Sequence, residues 1–111
     1  MSTPVPEDEK LIVLARGALA RAEAGSGAAV RDGDGRTYAG APVTTAALTL
    51  TALQVAAATA LSSGARAFEA AVIVGGDEGD PGLALVSEIS PAAYTLIADL
   101  AGTVVTEVAP R

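Results

Sequence analysis

The sequence predicts a small α/β domain in which helices pack on the faces of a mixed sheet. The chain has 111 residues, enough for one modest hydrophobic core, so we expect a single domain over 1–111. Half of the residues are hydrophobic and only 3% are aromatic, so the core must rest on small side chains and close backbone approach. Helix-like and strand-like apolar runs alternate in the order α-β-β-α-β-(β)-α-β, which predicts the mixed sheet.

The first three elements are predicted from their caps and turns. A helix is expected from about Glu7, where acidic residues occupy the first turn, to a stop at Gly25. The following stretch, GAAVRDGDGRTYAG, has an Asp-Gly step between two apolar segments and predicts a hairpin with strands at about 27–31 and 36–41. We expect residues 1–6 to be disordered.

The later elements are predicted mainly from apolar runs. The stretch from Thr44 to Gly64 is rich in Ala and Leu, and it predicts a buried helix over its second half. EAAVIVGG is typical of a strand covered on both faces, LALVSE predicts a short strand, and GTVVTEVAP predicts the final strand. The stretch ISPAAYTLIADL predicts a helix, with Ser90 as N-cap and Pro91 at the first helical position.

Composition excludes several classes of function. Cysteine and histidine are both absent, so neither a tetrahedral zinc site of the usual N/S kind nor Cys–His or Ser–His nucleophilic chemistry can be built. The net charge is −6 and the basic residues are scattered, so we expect no nucleic-acid or membrane partner. The acidic N-terminus and the lack of an apolar run near the ~20 residues of a membrane span predict a cytoplasmic location.

Two glycine-rich stretches have stronger structural than functional interpretations. GSGAAV contains a glycine pair, but it follows a helix and leads into a strand, the reverse of a phosphate-binding turn. DGDGR begins like a calcium loop, yet Arg36 occupies the fifth position, where an oxygen ligand is required. A hairpin turn explains DGDGR better.

Polar residues at two other places leave alternatives open. Asp77, Glu78 and Asp80 are carboxylates that suit a hard cation, although a solvated acidic loop is the stronger interpretation. Thr51 and Gln54 interrupt an apolar run. They either line a pocket or an oligomer interface, or they face solvent.

The ordered segments resemble the small nucleoside cytidine deaminases over roughly Leu11 to Val108. In that family the hairpin reads like G-A-A-L-x-x-x-D-G-x-x-x-x-G, which is close to Gly27 through Gly40. A family helix that reads like P-C-G-A-C-R-Q-V-L-A-E-F lies over Ile89 to Leu100 without a gap. The resemblance implies a cytidine deaminase-like three-layer αβα sandwich with a mixed sheet.

The resemblance also implies where the family's site would lie. Its two helix-start cysteines, which are zinc ligands, fall on Ser90 and Ala93. The cysteine of its C-A-E motif falls on Thr51, Ala52 or Leu53, and the catalytic glutamate correspondingly on Leu53, Gln54 or Val55. The ribose-binding N-x-E segment falls on or near Pro42-Val43-Thr44. The former-pocket positions are Thr44, Thr51, Ala52, Leu53, Gln54, Ser90, Ala93 and Tyr94.

The departures from the family pattern argue against its reaction. In the family, zinc lowers the pKa of a bound water and the glutamate shuttles the proton. Without those residues we predict a catalytically inactive pseudoenzyme with no zinc and no other cofactor. It would act as a binding or scaffolding homo-oligomer, a dimer or tetramer, with an unidentified small-molecule or protein partner. The alternative is a metal-free enzyme, or a nucleoside or small-molecule binder, that uses a remodelled pocket.

Overall fold

The computed structural model describes residues 4–108. The helices in this part of the chain are α1 (Pro6–Ala22), α2 (Ala52–Ser62) and α3 (Gly82–Ile89). The strands are β1 (Gly27–Asp32), β2 (Thr37–Gly40), β3 (Val43–Thr44), β4 (Thr49–Leu50), β5 (Phe68–Val74), β6 (Tyr94–Ala98) and β7 (Val104–Val108). No helix among these residues has the length and apolarity that crossing a membrane requires.

Five strands form one mixed sheet in the order β2-β1-β5-β6-β7. The β5–β6 pair is parallel and the other three pairs are antiparallel. One face of the sheet packs against α1, and the other packs against α2 and α3. The predicted fold class, a three-layer αβα sandwich with a mixed sheet, is therefore confirmed. β3 and β4 form a separate two-stranded ribbon.

Small residues let the helices lie close to the sheet. Gly40 at the end of β2 is an example, because a Cβ atom there would lie 2.7 Å from Val55 Cγ1 and 2.8 Å from the Ala56 backbone nitrogen. Ala56, Ala57 and Ala60, on the same helix, are fully buried. The core is therefore built by close backbone approach, as the composition predicted.

The predicted hairpin is confirmed, and the carboxylate of Asp32 stabilises its turn by accepting hydrogen bonds from it. Asp32 is 1% exposed. Its Oδ1 accepts hydrogen bonds from the backbone N–H groups of Asp34 and Arg36, both at 2.9 Å, and its Oδ2 accepts one from the Tyr38 hydroxyl at 3.2 Å. The DGDGR stretch is therefore a hydrogen-bonded turn, and Asp32 directs its side chain to groups of the hairpin itself.

The first helix begins and ends slightly earlier than predicted. It begins at Pro6, where the Val5 carbonyl accepts hydrogen bonds from the N–H groups of Asp8 and Glu9. It ends at Ala22, because Glu23 adopts a left-handed conformation with φ of 51°. Disorder was expected over residues 1–6. Of these, residues 1–3 lie outside the described part of the chain, and Pro6 already belongs to the helix.

Two predicted elements are wrong. LALVSE belongs to helix α3, and the stretch predicted as a helix from Ile89 contains strand β6. The cause is that β6 lies between β5 and β7 and is covered on both faces, so its apolar residues show no strand alternation. Parallel strands need a crossover, usually helical, and α3 supplies it between β5 and β6. The order after β5 is therefore α-β-β, not (β)-α-β.

Candidate functional site

The start of α2 is held by a capping box. Thr51 is the N-cap, and its Oγ1 accepts a hydrogen bond from the Gln54 backbone N–H at 3.2 Å. In return, Gln54 Oε1 accepts from the Thr51 backbone N–H at 2.9 Å. The two polar residues within the apolar run therefore define where the helix begins. This capping role is additional to the alternatives left open by the sequence, which were the lining of a pocket or an oligomer interface, or a solvent-facing position.

A single carboxylate joins the start of α2 to the start of α3. Thr51 Oγ1 donates a hydrogen bond to Asp80 Oδ1 at 2.5 Å, and the Gly82 N–H donates to the same oxygen at 2.7 Å. The Leu53 N–H approaches Asp80 Oδ2 at 3.4 Å. A negative charge is favourable here because helix starts carry unpaired N–H groups and a partial positive charge. We refer to Asp80, Thr51, Leu53 and Gly82 as the Asp80 bridge.

The space between the two helix starts is filled by protein atoms. Gly82 lies directly against α2, since a Cβ atom there would lie 2.7 Å from Leu53 Cβ and 2.8 Å from the Gln54 nitrogen. The Leu53 side chain is fully buried, and Ala52 is 2% exposed. An apolar side chain and a backbone contact therefore occupy the region between α2 and α3 beside the Asp80 bridge.

The structure brings together some of the sequence-predicted site residues and separates others. Thr51, Ala52, Leu53 and Gln54 lie together at the start of α2. Ser90 is instead at the end of α3, where its Oγ accepts a hydrogen bond from the Phe68 N–H at 2.8 Å. Thr44, in the exposed ribbon, and Tyr94, on the α1 side of the sheet, also lie away from the helix starts. Ala93, just before β6, lines a groove that Asp80 and Pro81 also line.

The sequence indicated for Asp80 only a cation site or a solvated loop, and for Gly82 no role at all. The signal was the Asp-Pro-Gly triplet before an apolar run, which is a pattern typical of a helix start. The acidic-loop interpretation hid this signal, because Asp80 was grouped with Asp77 and Glu78. In the structure Asp77 accepts a hydrogen bond only from the Gly79 N–H within its own loop, at 2.8 Å.

Tyr94 belongs to a second polar cluster, which lies between α1 and the sheet. Its hydroxyl donates to the Asp8 carboxylate, whose oxygens lie 2.8 and 2.9 Å away. Arg31 donates from Nη1 to Asp8 at 3.1 Å, from Nε to Glu69 at 3.0 Å, and from Nη2 to the Tyr94 oxygen at 3.3 Å. We refer to Asp8, Arg31, Glu69 and Tyr94 as the Arg31 cluster.

The environment of this cluster shifts two pKa values. Burial, followed by the hydrogen bond to Asp8, raises the pKa of the Tyr94 hydroxyl above its ordinary value. Burial alone would lower the pKa of Arg31, but its hydrogen bonds to Tyr94, Asp8 and Glu69 outweigh that effect and raise it. The cluster therefore favours a neutral tyrosine and a charged arginine.

A groove of about 380 Å³ lies beside α3, on the side that faces the ends of β6 and β7. Thr95 lines it and is 3% exposed. Glu78 and Ser87 contribute the other polar side chains away from the Asp80 bridge, and Pro81, Val86 and Ala93 contribute apolar surface. The groove borders the Asp80 bridge, since Asp80 also lines it.

The fold that carries these groups is that of solved cytidine deaminases. The enzyme from Burkholderia pseudomallei superposes with a TM-score of 0.76 at 24% identity, covering 91% of each chain. That from Mycobacterium leprae gives 0.71 at 23% identity, covering 85% of this chain and 89% of the other. That from Mycobacterium tuberculosis gives 0.67 at 24% identity, covering 85% of each. The class defined by the fold is thus a deaminase-type αβα domain.

The sequence agrees with this class. The profile of the family described as cytidine deaminase-like matches residues 4–102. The chain therefore belongs to the cytidine deaminase-like family. Among curated protein sequences, none matches it.

The structure shows which residues lie at the two helix starts. The helix that begins beside α2 is α3, and it begins at Gly82. Pro81 precedes α3 and Ala84 lies in its first turn, whereas no helix begins at Ser90 or Ala93. Thr51 precedes α2, and Leu53 lies in the first turn of that helix.

The residues at these positions do not fit a tetrahedral zinc ion. Pro81 and Ala84 offer no donor side chain, and Thr51 offers a hydroxyl that already bonds to Asp80 and Gln54. Asp80 is the one carboxylate present, and its oxygens are used by the bridge. Within residues 4–108, no group of three His, Cys, Asp or Glu side chains lies close enough to hold a metal ion.

Proposed function

We propose that this protein is a cytidine deaminase-like pseudoenzyme that acts as a binding or scaffolding homo-oligomer. The observation that supports this proposal most directly is the Asp80 bridge. We align the family's P-C-G-A-C motif with the start of α3 and its C-A-E motif with the start of α2. This alignment puts the three cysteines on Pro81, Ala84 and Thr51 and the glutamate on Leu53. A hydrogen-bonded carboxylate and a packed leucine now join these two helices.

The side chains that this chain lacks at the helix starts would supply both requirements of hydrolytic deamination, the zinc ligands and the proton-transferring carboxylate. Deamination of this kind needs a water made acidic by zinc and a carboxylate that moves its proton to the base. Leu53 can neither accept nor donate a proton, and no thiolate stands beside it. The chain's own residues at the helix starts therefore support structure rather than proton transfer.

Association is the second part of the proposal. A chain of 111 residues rich in small side chains buries a modest core, and association would add apolar burial. Point-group symmetric dimers are the commonest soluble oligomers. We therefore propose a dimer, or a tetramer built from dimers, as the working assembly.

Metal content and ammonia release test the pseudoenzyme proposal. We expect purified protein to contain no stoichiometric zinc and to release no ammonia from cytidine or deoxycytidine, also after incubation with added zinc. The Mycobacterium tuberculosis cytidine deaminase, assayed in parallel, is the positive control. One zinc per chain, or zinc-dependent ammonia release, would contradict the proposal.

Restoring thiols at the helix starts tests whether donor loss alone removed the metal site. The variant Thr51→Cys/Pro81→Cys/Ala84→Cys should bind Co²⁺ with thiolate absorption, since α2 and α3 begin side by side. The matched control, Thr51→Cys/Ser90→Cys/Ala93→Cys, should not, because Ser90 lies at the other end of α3. Equal binding by both sets, or by neither while both stay folded, would refute the alignment at Gly82.

A second candidate function, a small-molecule binder, is favoured by the groove beside α3. The Thr95 hydroxyl offers a polar contact, together with Glu78 and Ser87, beside the apolar walls of this groove. If the groove binds nucleosides, cytidine or uridine should raise the melting temperature of the wild type and not that of Thr95→Val. Absence of any shift at millimolar nucleoside leaves scaffolding as the favoured function.

A further inference from the structure

The turn between β1 and β2 contains the two Asp-Gly steps of the sequence, Asp32-Gly33 and Asp34-Gly35. In such a step the glycine nitrogen can attack the side-chain carboxyl carbon of the aspartate, because glycine has no Cβ atom to hinder the approach. The chain has no asparagine, so deamidation of an Asn side chain cannot mask this reaction. The two steps contain the same residue types, and the fold therefore decides which of them can react.

The first step is held on both sides of the bond that would have to form. Asp32 is 1% exposed, and its carboxylate accepts two backbone N–H groups of the turn at 2.9 Å and the Tyr38 hydroxyl at 3.2 Å. The Gly33 nitrogen, which would be the attacking atom, donates its hydrogen to the Ala67 carbonyl at 3.0 Å. Both the carboxyl group and the nitrogen of this step are therefore fixed by bonds to other residues.

The second step is open to solvent. Asp34 and Gly35 are exposed, and within residues 4–108 the Asp34 carboxylate forms neither a hydrogen bond nor an ion pair, although Arg66 lines the same shallow cavity. A Cβ atom at Gly35 would find no heavy atom of the described chain within 4 Å. The Gly35 N–H makes one bond, to the Asp32 carbonyl of the same turn at 3.1 Å. Opening an exposed turn locally is enough to release it.

We infer that Asp34 is a modification site at which the chain isomerises spontaneously to isoaspartate. The Gly35 nitrogen attacks Asp34 Cγ, so that a C–N bond forms and a Cγ–O bond breaks. The oxygen leaves as water together with the amide proton and the carboxyl proton, which leaves a cyclic succinimide. Water then opens this ring. Attack at the backbone carbonyl gives isoaspartate, and attack at Cγ restores aspartate, so water is the sole co-reactant.

The product changes the turn and creates a group that a partner enzyme can recognise. In isoaspartate the backbone runs through the side chain, which adds one carbon atom between Asp34 and Gly35 and leaves a free α-carboxylate. The Arg36 N–H bonds to Asp32 across this linkage, and the extra atom displaces it. The α-carboxylate on a β-linked backbone is the acceptor of S-adenosylmethionine-dependent isoaspartyl methyltransferases. The partner class for the aged protein is therefore a carboxyl methyltransferase of that kind.

Peptide mapping after ageing tests the site. The folded protein and the same chain unfolded in denaturant are incubated in heavy-oxygen water at neutral pH, where each opened succinimide takes up label. Cleavage after Arg31 and Arg36 releases one peptide that holds both aspartates, and its fragmentation locates the label. In the folded protein Asp34 should react at least about tenfold faster than Asp32, which must first lose its hydrogen bonds. In the unfolded chain the two should react at similar rates.

The matched control variant is Asp34→Glu, which keeps the charge but has one more methylene, so that ring closure would need a six-membered ring. Labelled methyl transfer by a purified isoaspartyl methyltransferase should mark the aged wild type and should stay near background for the aged variant. The melting temperature of fully converted protein should fall by about 4 °C, because the turn loses a hydrogen bond. The aged Asp34→Glu variant should keep its own starting value.

Three results would overturn the inference. The first is an Asp32 that reacts as fast as Asp34 in the folded protein, since the hydrogen bonds would then give no protection. The second is a folded protein that forms no isoaspartate at Asp34 while the unfolded chain forms it at both steps. The third is methyl transfer to the aged Asp34→Glu variant at the wild-type level, which would place the modified residue elsewhere.

Discussion

On each face of the sheet a buried or half-buried aspartate joins separate elements, and the two aspartates, Asp8 and Asp80, are held in different ways. Asp8 of the Arg31 cluster is 5% exposed and is bound by the side chains of Arg31 and Tyr94, which come from β1 and β6. Asp80 of the Asp80 bridge is half-buried, and it is bound by backbone N–H groups and one hydroxyl at two helix starts. The first arrangement depends on a charged partner, whereas the second depends mainly on backbone geometry.

This difference shows how a fold can lose a metal site without losing its helix contact. Backbone N–H groups at helix starts are present whatever the side chains, so one carboxylate is enough to occupy them. The ion pair between Asp8 of α1 and Arg31 of β1 has no such replacement, because removing one partner leaves a buried charge without its counter-charge. The two sites should therefore differ in how much stability one substitution removes.

Breaking the Arg31 cluster should have the larger effect. Arg31→Met removes the cation and leaves Asp8 buried without a charged partner, so we expect the free energy of unfolding to fall by about 3 kcal/mol. Denaturant unfolding measures it. The control is Glu69→Gln, which alters the other partner of Arg31, and its side chain is 49% exposed. That change should cost less than about 1 kcal/mol, and equal losses for both variants would contradict the importance of Asp8.

Breaking the Asp80 bridge should have a smaller effect. Asp80→Ala removes a cap shared by α2 and α3, so we expect a loss of about 2 kcal/mol in the free energy of unfolding. Asp77→Ala in the same loop should cost less than about 0.5 kcal/mol, because Asp77 bonds only to its own turn. Added formate should partly restore the free energy of unfolding of the Asp80→Ala variant, because its carboxylate can bind the N–H groups that Asp80 has left at the helix starts. If Asp80→Ala is as stable as the wild type, the Asp80 bridge does not contribute to stability as proposed.

The smallest effect should come from raising the pH. Because the folded protein raises the pKa of Tyr94, the stability that the neutral hydroxyl contributes is complete below about pH 10 and is lost as the pH rises through the folded value. Stability should therefore decline more steeply above about pH 10 in the wild type than in Tyr94→Phe.

The titration itself can be measured directly. The chain has two tyrosines and no tryptophan, so in Tyr38→Phe the tyrosinate absorption reports Tyr94 alone. It should appear at higher pH in the folded protein than in the same variant unfolded in denaturant. Ionisation at the same pH in both states would contradict the hydrogen bond to Asp8.

The sequence predicted the elements that have local signals. The hairpin follows from its Asp-Gly turn, and β5 follows from its long apolar run. α3 and β6 could not be separated in this way, because a strand buried on both faces and a short buried helix give the same apolar pattern. The need for a crossover between parallel strands would have placed a helix before β6, but the parallel pairing is a property of the tertiary structure.

The candidate site was predicted only in part, because some of its residues have local sequence signals and others are defined by tertiary contacts. Thr51 and Gln54 were visible as polar residues in an apolar run, and their capping role follows from spacing once the helix start is known. Asp80 was visible only as one of three loop carboxylates. Its bond to Thr51 spans 29 positions of the chain, and no local pattern could show which carboxylate turns towards α2.

The hydrogen bond between Asp8 and Tyr94 joins residues that are 86 positions apart. The entropic cost of closing a loop grows with its length, and folding slows when the contacts that define a fold are distant along the chain. During synthesis α1 emerges before β6, so its buried carboxylate cannot reach the tyrosine until β6 has been made. The docking of α1 is thus expected to be a late step in folding, which leaves the apolar side of the first helix open to chaperones for most of translation.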